Sequence, residues 1–435
     1  MIVLLGLGRE TRELARLLRA RDARVPLLLL DEGTPDPGVL ATLDDLGLDV
    51  RIGVDLDVVG AIPTGATAVY RSPGVSPYRP GVAAVVAAGV PVTTPTGWWA
   101  AQRDNHDVIA VTGTKGKSTT AAMIAHLLRA AGRDVALLGN IGRAALQADD
   151  AALDVDDVVL ELSSYQLADL DARVALGAIT TLLVDHVPWH GSVERYHADK
   201  LRLLTVADRV VVTPTVARHD RVEAAGSRIA AVATSTDRAA IGAALRAAGL
   251  VGDHLVDDAV LALAVVDQRL ALPGGVRPLI GALADFAPLP HRLTPVGDHG
   301  GVRFVDDSIS TVPESAVAAV RAYVDRGPVT VLLGGDDRGQ QLDPLVDLLA
   351  DERVVAVLLP PLAARLGPAL RASGHADIAR RVIDATDLGE AVGVAAARTP
   401  PGGSVLLSPA APSFSSHRDF VARGEHFVAL VDALA

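Results

Sequence analysis

Short runs made almost wholly of apolar residues, among them 2–5, 158–160, 329–333 and 354–359, alternate along the chain with longer stretches where apolar residues recur every three or four positions. The recurring pattern is that of a helix with one buried face. The unbroken runs, bounded by glycine, proline and acidic residues, are strands covered on both faces. Strand-then-helix alternation over the whole length predicts an α/β fold built from open parallel sheets. The runs 25–30, 66–70 and 178–184 are read as further strands, and 121–131 and 196–204 as helices.

Chemistry enters where the strands end. The apolar run before position 112 opens into Gly113-Thr114-Lys115-Gly116-Lys117-Ser118-Thr119-Thr120 and then a helical pattern. A glycine turn feeding a helix N-terminus presents backbone N–H groups and a positive dipole end to a phosphate. Lys117 is placed to reach the outer phosphates, and Ser118 or Thr119 to offer a hydroxyl to magnesium. The loop is shorter than the usual form, because Val111 stands where that form needs glycine. The plainer reading, a tight turn with a solvated lysine, fits the strand and helix on either side less well.

Other strand ends carry polar residues of the same kind. Gly6-Leu7-Gly8-Arg9-Glu10-Thr11 follows the first strand and Asp31 closes the second, which suggests a nucleotide-binding βαβ unit, though a structural turn explains Gly6 and Gly8 almost as well. Arg71-Ser72-Pro73-Gly74 ends another strand, and Leu138-Gly139-Asn140-Ile141-Gly142 a fourth. Glu161 interrupts a buried apolar strand, and a buried carboxylate needs a counter-charge such as magnesium beside a triphosphate, or else nearby arginines. Asp185-His186 and Lys200 follow. Trp98 and Trp99 read as packing residues at a domain junction.

Composition narrows the class. At 435 residues the chain is long for one core, and half of it is apolar while only 3% is aromatic. The chain has no cysteine, which excludes disulfides, thiol nucleophiles and cysteine zinc sites and suits a reducing cytosol. A formal charge of −12 counts against a nucleic-acid partner. No basic leader or membrane-length apolar run is seen, so a cytoplasmic protein is expected.

Taken together, residues 113–119, 139–142, Glu161-Leu-Ser-Ser-Tyr-Gln-Leu167, Asp185-His186 and the 196–200 segment resemble the Mur ligases, specifically the glutamate-adding type. The resemblance continues at Pro290-His291-Arg292-Leu293, Asp306-Asp307-Ser308, Leu333-Gly334-Gly335-Asp336 and 407–424, and so covers nearly the whole chain in order. It implies three domains: an N-terminal Rossmann-like nucleotide-sugar domain at 1–92, a central ATPase domain with a parallel sheet at 93–296, and a Rossmann-like C-terminal glutamate-binding domain at 297–435. Residues 91–97 and 295–301 have the turn chemistry of linkers.

The resemblance further implies an ATP-dependent ligase joining glutamate to UDP-N-acetylmuramoyl-L-alanine through an acyl phosphate, acting as a monomer away from membranes. Lys117, His186 and Lys200 would be catalytic. Gly113, Thr114, Lys115, Gly116, Lys117, Ser118, Thr119, Arg292 and Asp307 would bind ATP. Gly8, Arg9, Thr11, Asp31, Ser72, Gly74 and Asn140 would bind the UDP substrate. Thr311, Arg338, Ser413 and Phe420 would bind glutamate, and Ser118, Glu161, His186 and Lys200 would hold Mg2+. Lys200 matches the lysine that the family carbamylates, giving N6-carboxylysine.

Several positions depart from the family pattern. Residues 307–313 read Asp-Ser-Ile-Ser-Thr-Val-Pro where a lysine is common at Ile309. Arg338 stands for a lysine, Pro412 for a small residue and Asp258 for an asparagine that contacts adenine. Because the departures at Ile309, Pro313, Arg338 and Pro412 fall around the expected amino-acid pocket, L-glutamate is favoured over the D-isomer, with the same ligation of D-glutamate as the alternative. Rival readings are a folylpolyglutamate-synthetase-like ligase, which lacks the N-terminal nucleotide-sugar domain, and a nucleotide sensor, which would not need Glu161, His186 and Lys200 together.

Overall fold

The computed structural model describes residues 1–33, 43, 46–103, 105–141, 143–147, 154–287, 289–337, 339–375 and 377–434. Two compact units are present, Met1–Arg238 with Asp257–Ala282, and Ala239–Val256 with Leu283–Ala435.

The first unit contains two parallel sheets. One comprises β1 (Ile2–Leu5), β2 (Leu27–Asp31), β3 (Asp49–Ile52), β4 (Ala68–Arg71) and β5 (Val92–Thr93), in the order β3-β2-β1-β4-β5. Chain order reverses between β1 and β4, so the turns after these two strands border the crevice where such sheets take ligands. The Arg9–Arg21 helix packs Leu14, Ala15 and Leu18 inward and leaves Arg9, Arg16 and Arg21 exposed.

The other sheet comprises β6 (Val108–Thr112), β7 (Val135–Gly139), β8 (Asp157–Glu161), β9 (Val174–Ile179), β10 (Ala207–Val212) and β11 (Ile229–Val232), in the order β11-β10-β9-β6-β8-β7. Every residue of β6 and β8 is buried, as expected of strands covered by helices on both faces. The strand expected at 178–184 lies instead at Val174–Ile179. Past Ile179 the chain bonds the glycine turn: the Thr180 hydroxyl donates to Lys115 O, the Thr114 N–H donates to Thr181 O at 2.8 Å, and the Lys115 N–H to Thr181 Oγ1 at 2.8 Å. A single buried cluster joins the two sheets, running from Leu4, Leu14 and Leu29 through Trp98 and Trp99 to Val108, Leu160 and Val210.

The second unit holds a six-stranded sheet of β12 (Thr294–His299), β13 (Val302–Asp306), β14 (Val329–Gly334), β15 (Val354–Leu359), β16 (Val382–Asp384) and β17 (Ser404–Leu407). Its order is β12-β13-β17-β14-β15-β16, parallel except for β12. The linker expected at 295–301 is therefore mostly an edge strand. Pro295 is tolerated at an edge, and only Gly300 and Gly301, both at positive φ, make the turn into β13. Segment 239–256 packs with this unit although it precedes 257–282 in the chain. Among the described residues no helix is long and apolar enough to cross a membrane.

Candidate active site

The glycine turn between β6 and the Lys117–Ala130 helix has the geometry of a phosphate cradle. Gly113 and Gly116 have φ of +148° and +85°, and a Cβ on either would collide, with Thr180 in the first case and the Asp258 carboxylate in the second. Only glycine fits both positions. Lys117 Nζ donates to Thr114 O at 3.1 Å, folding back over the turn, and Ser118 is buried one residue further on. Thr114 Oγ1 meets the Tyr196 hydroxyl at 2.8 Å. Lys115 pairs with Asp185 at 3.5 Å, so its charge is directed to the neighbouring loop. Thr119 lies in the first turn of this helix. Asp258 accepts from Thr120 Oγ1 at 3.1 Å, so it braces the turn from below.

Parallel pairing sets Glu161, the last residue of β8, beside Val111 of β6. It is 1% exposed. Its Oε1 accepts from Asn140 Nδ2 at 3.2 Å, while Oε2 is buried with no hydrogen-bond partner among the described residues. Asn140, expected to meet the sugar substrate, thus also orients this carboxylate. A buried, half-satisfied carboxylate next to a phosphate cradle is a poor core residue and a good ligand for a hard cation. Among the described residues no three carboxylate, imidazole or thiol groups converge. The donor set present, one carboxylate and a serine hydroxyl, is that of a Mg2+ which takes its remaining ligands from phosphate and water. The residues fit the ion.

Lys200 lies on the Val193–Leu201 helix, is 2% exposed, and donates from Nζ to Gly113 O at 2.7 Å. Burial, and then the charge of Lys117, hold its amine well below the ordinary lysine range, with Asp185 and Glu161 acting in the opposite sense. These lysines and acids are therefore electrostatic neighbours. His186 sits in the left-handed region at φ +51°, half-exposed, with Nδ1 3.0 Å from the Tyr165 hydroxyl. Burial, followed by Lys200, Lys115 and Lys117, lowers its pKa against the pull of Asp185. Lys117, Ser118, Glu161, Asn140, Lys200 and His186 accordingly belong to one neighbourhood at the ends of β6, β7, β8 and β9.

At the first sheet, a Cβ on Gly8 would strike Ser72 Oγ, so the turns after β1 and β4 touch. Asp31 accepts from the Leu7 N–H at 2.6 Å and the Gly33 N–H at 2.7 Å, so both its oxygens hold loop backbone. Arg9 is exposed at the helix start, Gly74 is exposed and Ser72 half-buried. The buried Thr11 Oγ1 has no hydrogen-bond partner among the described residues.

The second unit gathers its candidates at the ends of β13, β14 and β17. Asp307 is buried and accepts from Ser310 Oγ at 2.5 Å, Ser408 Oγ at 2.7 Å and the Leu293 N–H at 3.2 Å. Burial nonetheless pushes its carboxyl up to about 6. Ser413 is buried, while Thr311, Arg292 and Phe420 are half-buried. Arg338 lies outside the described residues. Not picked out as a site residue in the sequence was Arg423, buried, with its guanidinium donating to Ser308 Oγ, Ser308 O and Ala411 O at 3.0, 2.7 and 3.0 Å. It fell within the 407–424 resemblance, but its position 115 residues beyond Ser308 gave no sign of this contact.

The Mur ligase middle domain matches residues 111–266, the segment that carries the glycine turn, Glu161, His186 and Lys200. The UDP-N-acetylmuramoyl-L-alanine–L-glutamate ligase of Xylella fastidiosa (strain 9a5c) is 36% identical to the chain, over 99% of this chain and 94% of that protein. The ligase of the same name from Salinispora tropica is 37% identical over 98% and 96%. Among solved structures, UDP-N-acetylmuramate–alanine ligase from Thermotoga maritima superposes with a TM-score of 0.58 at 17% identity, over 100% of this chain and 99% of that one. Full-length identity of this order, together with the match to the Mur ligase middle domain, establishes that the chain belongs to the Mur ligase family.

Proposed function

We propose that this protein is an ATP-dependent ligase that adds L-glutamate to UDP-N-acetylmuramoyl-L-alanine in peptidoglycan synthesis. The observation that carries the reading is identity of 36–37% over nearly the whole length to ligases named for that reaction. The site supplies chemistry that fits. A free carboxylate is a poor acylating agent, so the substrate carboxylate attacks the γ-phosphorus of ATP, ADP leaves, and an acyl phosphate forms. The glutamate amine then attacks the acyl carbon, and the tetrahedral intermediate expels phosphate.

Residues 113–119 cradle the triphosphate, and Lys117 meets the charge that spreads over the transferring group. Ser118 and Glu161 hold Mg2+, with His186 and Lys200 near a second ion; when bound, magnesium neutralises phosphate charge. Burial holds the Lys200 amine below the ordinary lysine range and so favours its neutral form, the one that adds CO2 to give a carbamate and a proton. The resulting anion would attract a cation where an ammonium repels it. Asn140 and the turns at 8–11, 31 and 72–74 take the UDP substrate, and Arg292 and Asp307 the nucleotide. Thr311, Arg338, Ser413 and Phe420 take glutamate. The domains 1–92, 93–296 and 297–435 divide these tasks, and the protein works as a cytoplasmic monomer.

Phosphate release with UDP-N-acetylmuramoyl-L-alanine and each glutamate isomer tests the reading. Release with L-glutamate alone supports it. Release with D-glutamate alone keeps the ligase and overturns the isomer, and release with neither overturns the substrate.

A further inference from the structure

Outside the glycine turn, the first unit contains a continuous chain of buried hydrogen bonds. His190 ends the short helix Val187–His190 and is wholly buried. Its Nδ1 lies 2.6 Å from Asp199 Oδ2 and its Nε2 lies 3.0 Å from Ser164 Oγ. The other Asp199 oxygen accepts the Tyr78 hydroxyl at 2.5 Å. With a carboxylate oxygen as the acceptor, Nδ1 is the donor of that contact.

Each end of this chain reaches a part of the site. Asp199 immediately precedes Lys200 on the same helix. Ser164 opens the turn that follows Glu161. Tyr78 continues the loop that begins at Ser72, and Trp189, next to His190, pins that loop twice more. Its indole N–H donates to Gly74 O at 2.9 Å, and the Ser76 hydroxyl donates to Trp189 O at 2.9 Å. The Trp189 ring stacks on Tyr165 with centroids 4.2 Å apart. Burying an imidazole and a carboxylate is unfavourable unless their polar atoms are matched, and a matched network is stiff and direction-specific. Simple space-filling by apolar residues would have closed the same core.

We propose that His190, Asp199 and Tyr78 are positioning residues that fix Lys200 relative to Glu161 and tie that spacing to the loop at 72–76. The proposal rests on the reading of Lys200 and of that loop given above. Through it, a shift of the sugar-nucleotide loop and a shift of Lys200 become one motion.

The test uses the full chain with His190→Leu, His190→Asn, His190→Gln and Tyr78→Phe. Kinetic constants are measured for both substrates, with the melting temperature and the lysine carbamate signal in 13C NMR after labelling with 13C-bicarbonate. Groups that orient a ligand typically cost about 10- to 100-fold when lost, and His190→Leu is expected to lose kcat on that scale while KM for ATP changes little. The asparagine amide nitrogen replaces Nδ1, so His190→Asn recovers most of kcat, whereas His190→Gln, which reaches the Ser164 side, does not. The carbamate signal weakens in His190→Leu and returns in His190→Asn. Equal losses in the leucine and asparagine variants would overturn the proposal. Should His190→Leu fail to fold, Tyr78→Phe decides, because it removes one oxygen atom; kcat unchanged there also overturns it. Wild-type protein without any carbamate signal overturns the Lys200 reading instead, and is told apart because failure of the positioning proposal leaves the wild-type signal intact.

Discussion

Lys200 and Lys117 show how two lysines near one turn take opposite parts. Lys117 folds over the phosphate cradle and contributes little to the core, so Lys117→Ala should fold normally. Turnover should fall about 100-fold or more, the scale of removing one preorganised charge from a transition state. Activity assays beside a melting curve check this, and near-normal turnover in folded protein would sink the cradle assignment. Lys200 is buried against Gly113 O and depressed by its surroundings. Lys200→Ala should be nearly inactive and regain part of its activity with millimolar acetate or formate, which can occupy the vacated anion position. Full activity of that variant in bicarbonate-depleted buffer would remove the carbamate from the mechanism. At this scale the grouping of candidates was legible where they stand at neighbouring strand ends, as do Lys117, Ser118 and Glu161. It was not legible where a partner arrives from far along the chain, since Tyr78 and Asp199 are 121 residues apart and only the fold brings them together.

Among elements, the long buried strands could be read from their apolar runs, because a strand covered on both faces has no polar alternative. Short or edge strands escaped. β3 is mostly exposed, β5 has two residues, and β12 carries proline and glycine, so none offers an apolar run. Sheet order escaped too, because it depends on which side each crossover packs. One inter-element tie with a testable consequence is Glu10, on the Arg9–Arg21 helix. It accepts from Thr96 Oγ1 at 2.8 Å and Gln166 Nε2 at 2.9 Å, and burial raises its pKa above 4.5. With the folded value above the unfolded one, the folded protein binds the extra proton in between, so stability is lost as pH rises through the folded value. Glu10→Gln keeps both contacts, since the Thr96 hydroxyl can turn to accept, and it carries no charge to bury. Its stability relative to wild type should therefore be flat below about pH 4 and grow toward neutral pH, by about 1.4 kcal/mol per unit of raised pKa. Urea unfolding at a series of pH values measures the difference; a gap that shrinks with rising pH contradicts the assignment.

For the whole molecule, three sheets do not make three cores. The N-terminal and central sheets share one buried cluster through Trp98 and Trp99, the N-terminal sheet packs a further cluster around Val3 and Val69, and the second unit has clusters of its own around Val331 and Phe304. All three tryptophans of the chain, Trp98, Trp99 and Trp189, lie in the first unit, so their fluorescence reports its unfolding alone. Leu4 of β1 is fully buried in the shared cluster, and truncating a leucine there should cost roughly 2–5 kcal/mol from lost burial and the cavity left behind. If the two sheets are one cooperative body, Leu4→Ala, in the N-terminal sheet, should lower the fluorescence midpoint together with the loss of phosphate-cradle function, and Leu160→Ala, in β8 of the central sheet, should do the same. The two variants should then melt in a single transition each, as a shared core requires. A Leu4→Ala protein whose fluorescence splits into an early and a late step, with nucleotide still raising the late midpoint, would show that the N-terminal sheet unfolds by itself and that the shared cluster does not couple the pair.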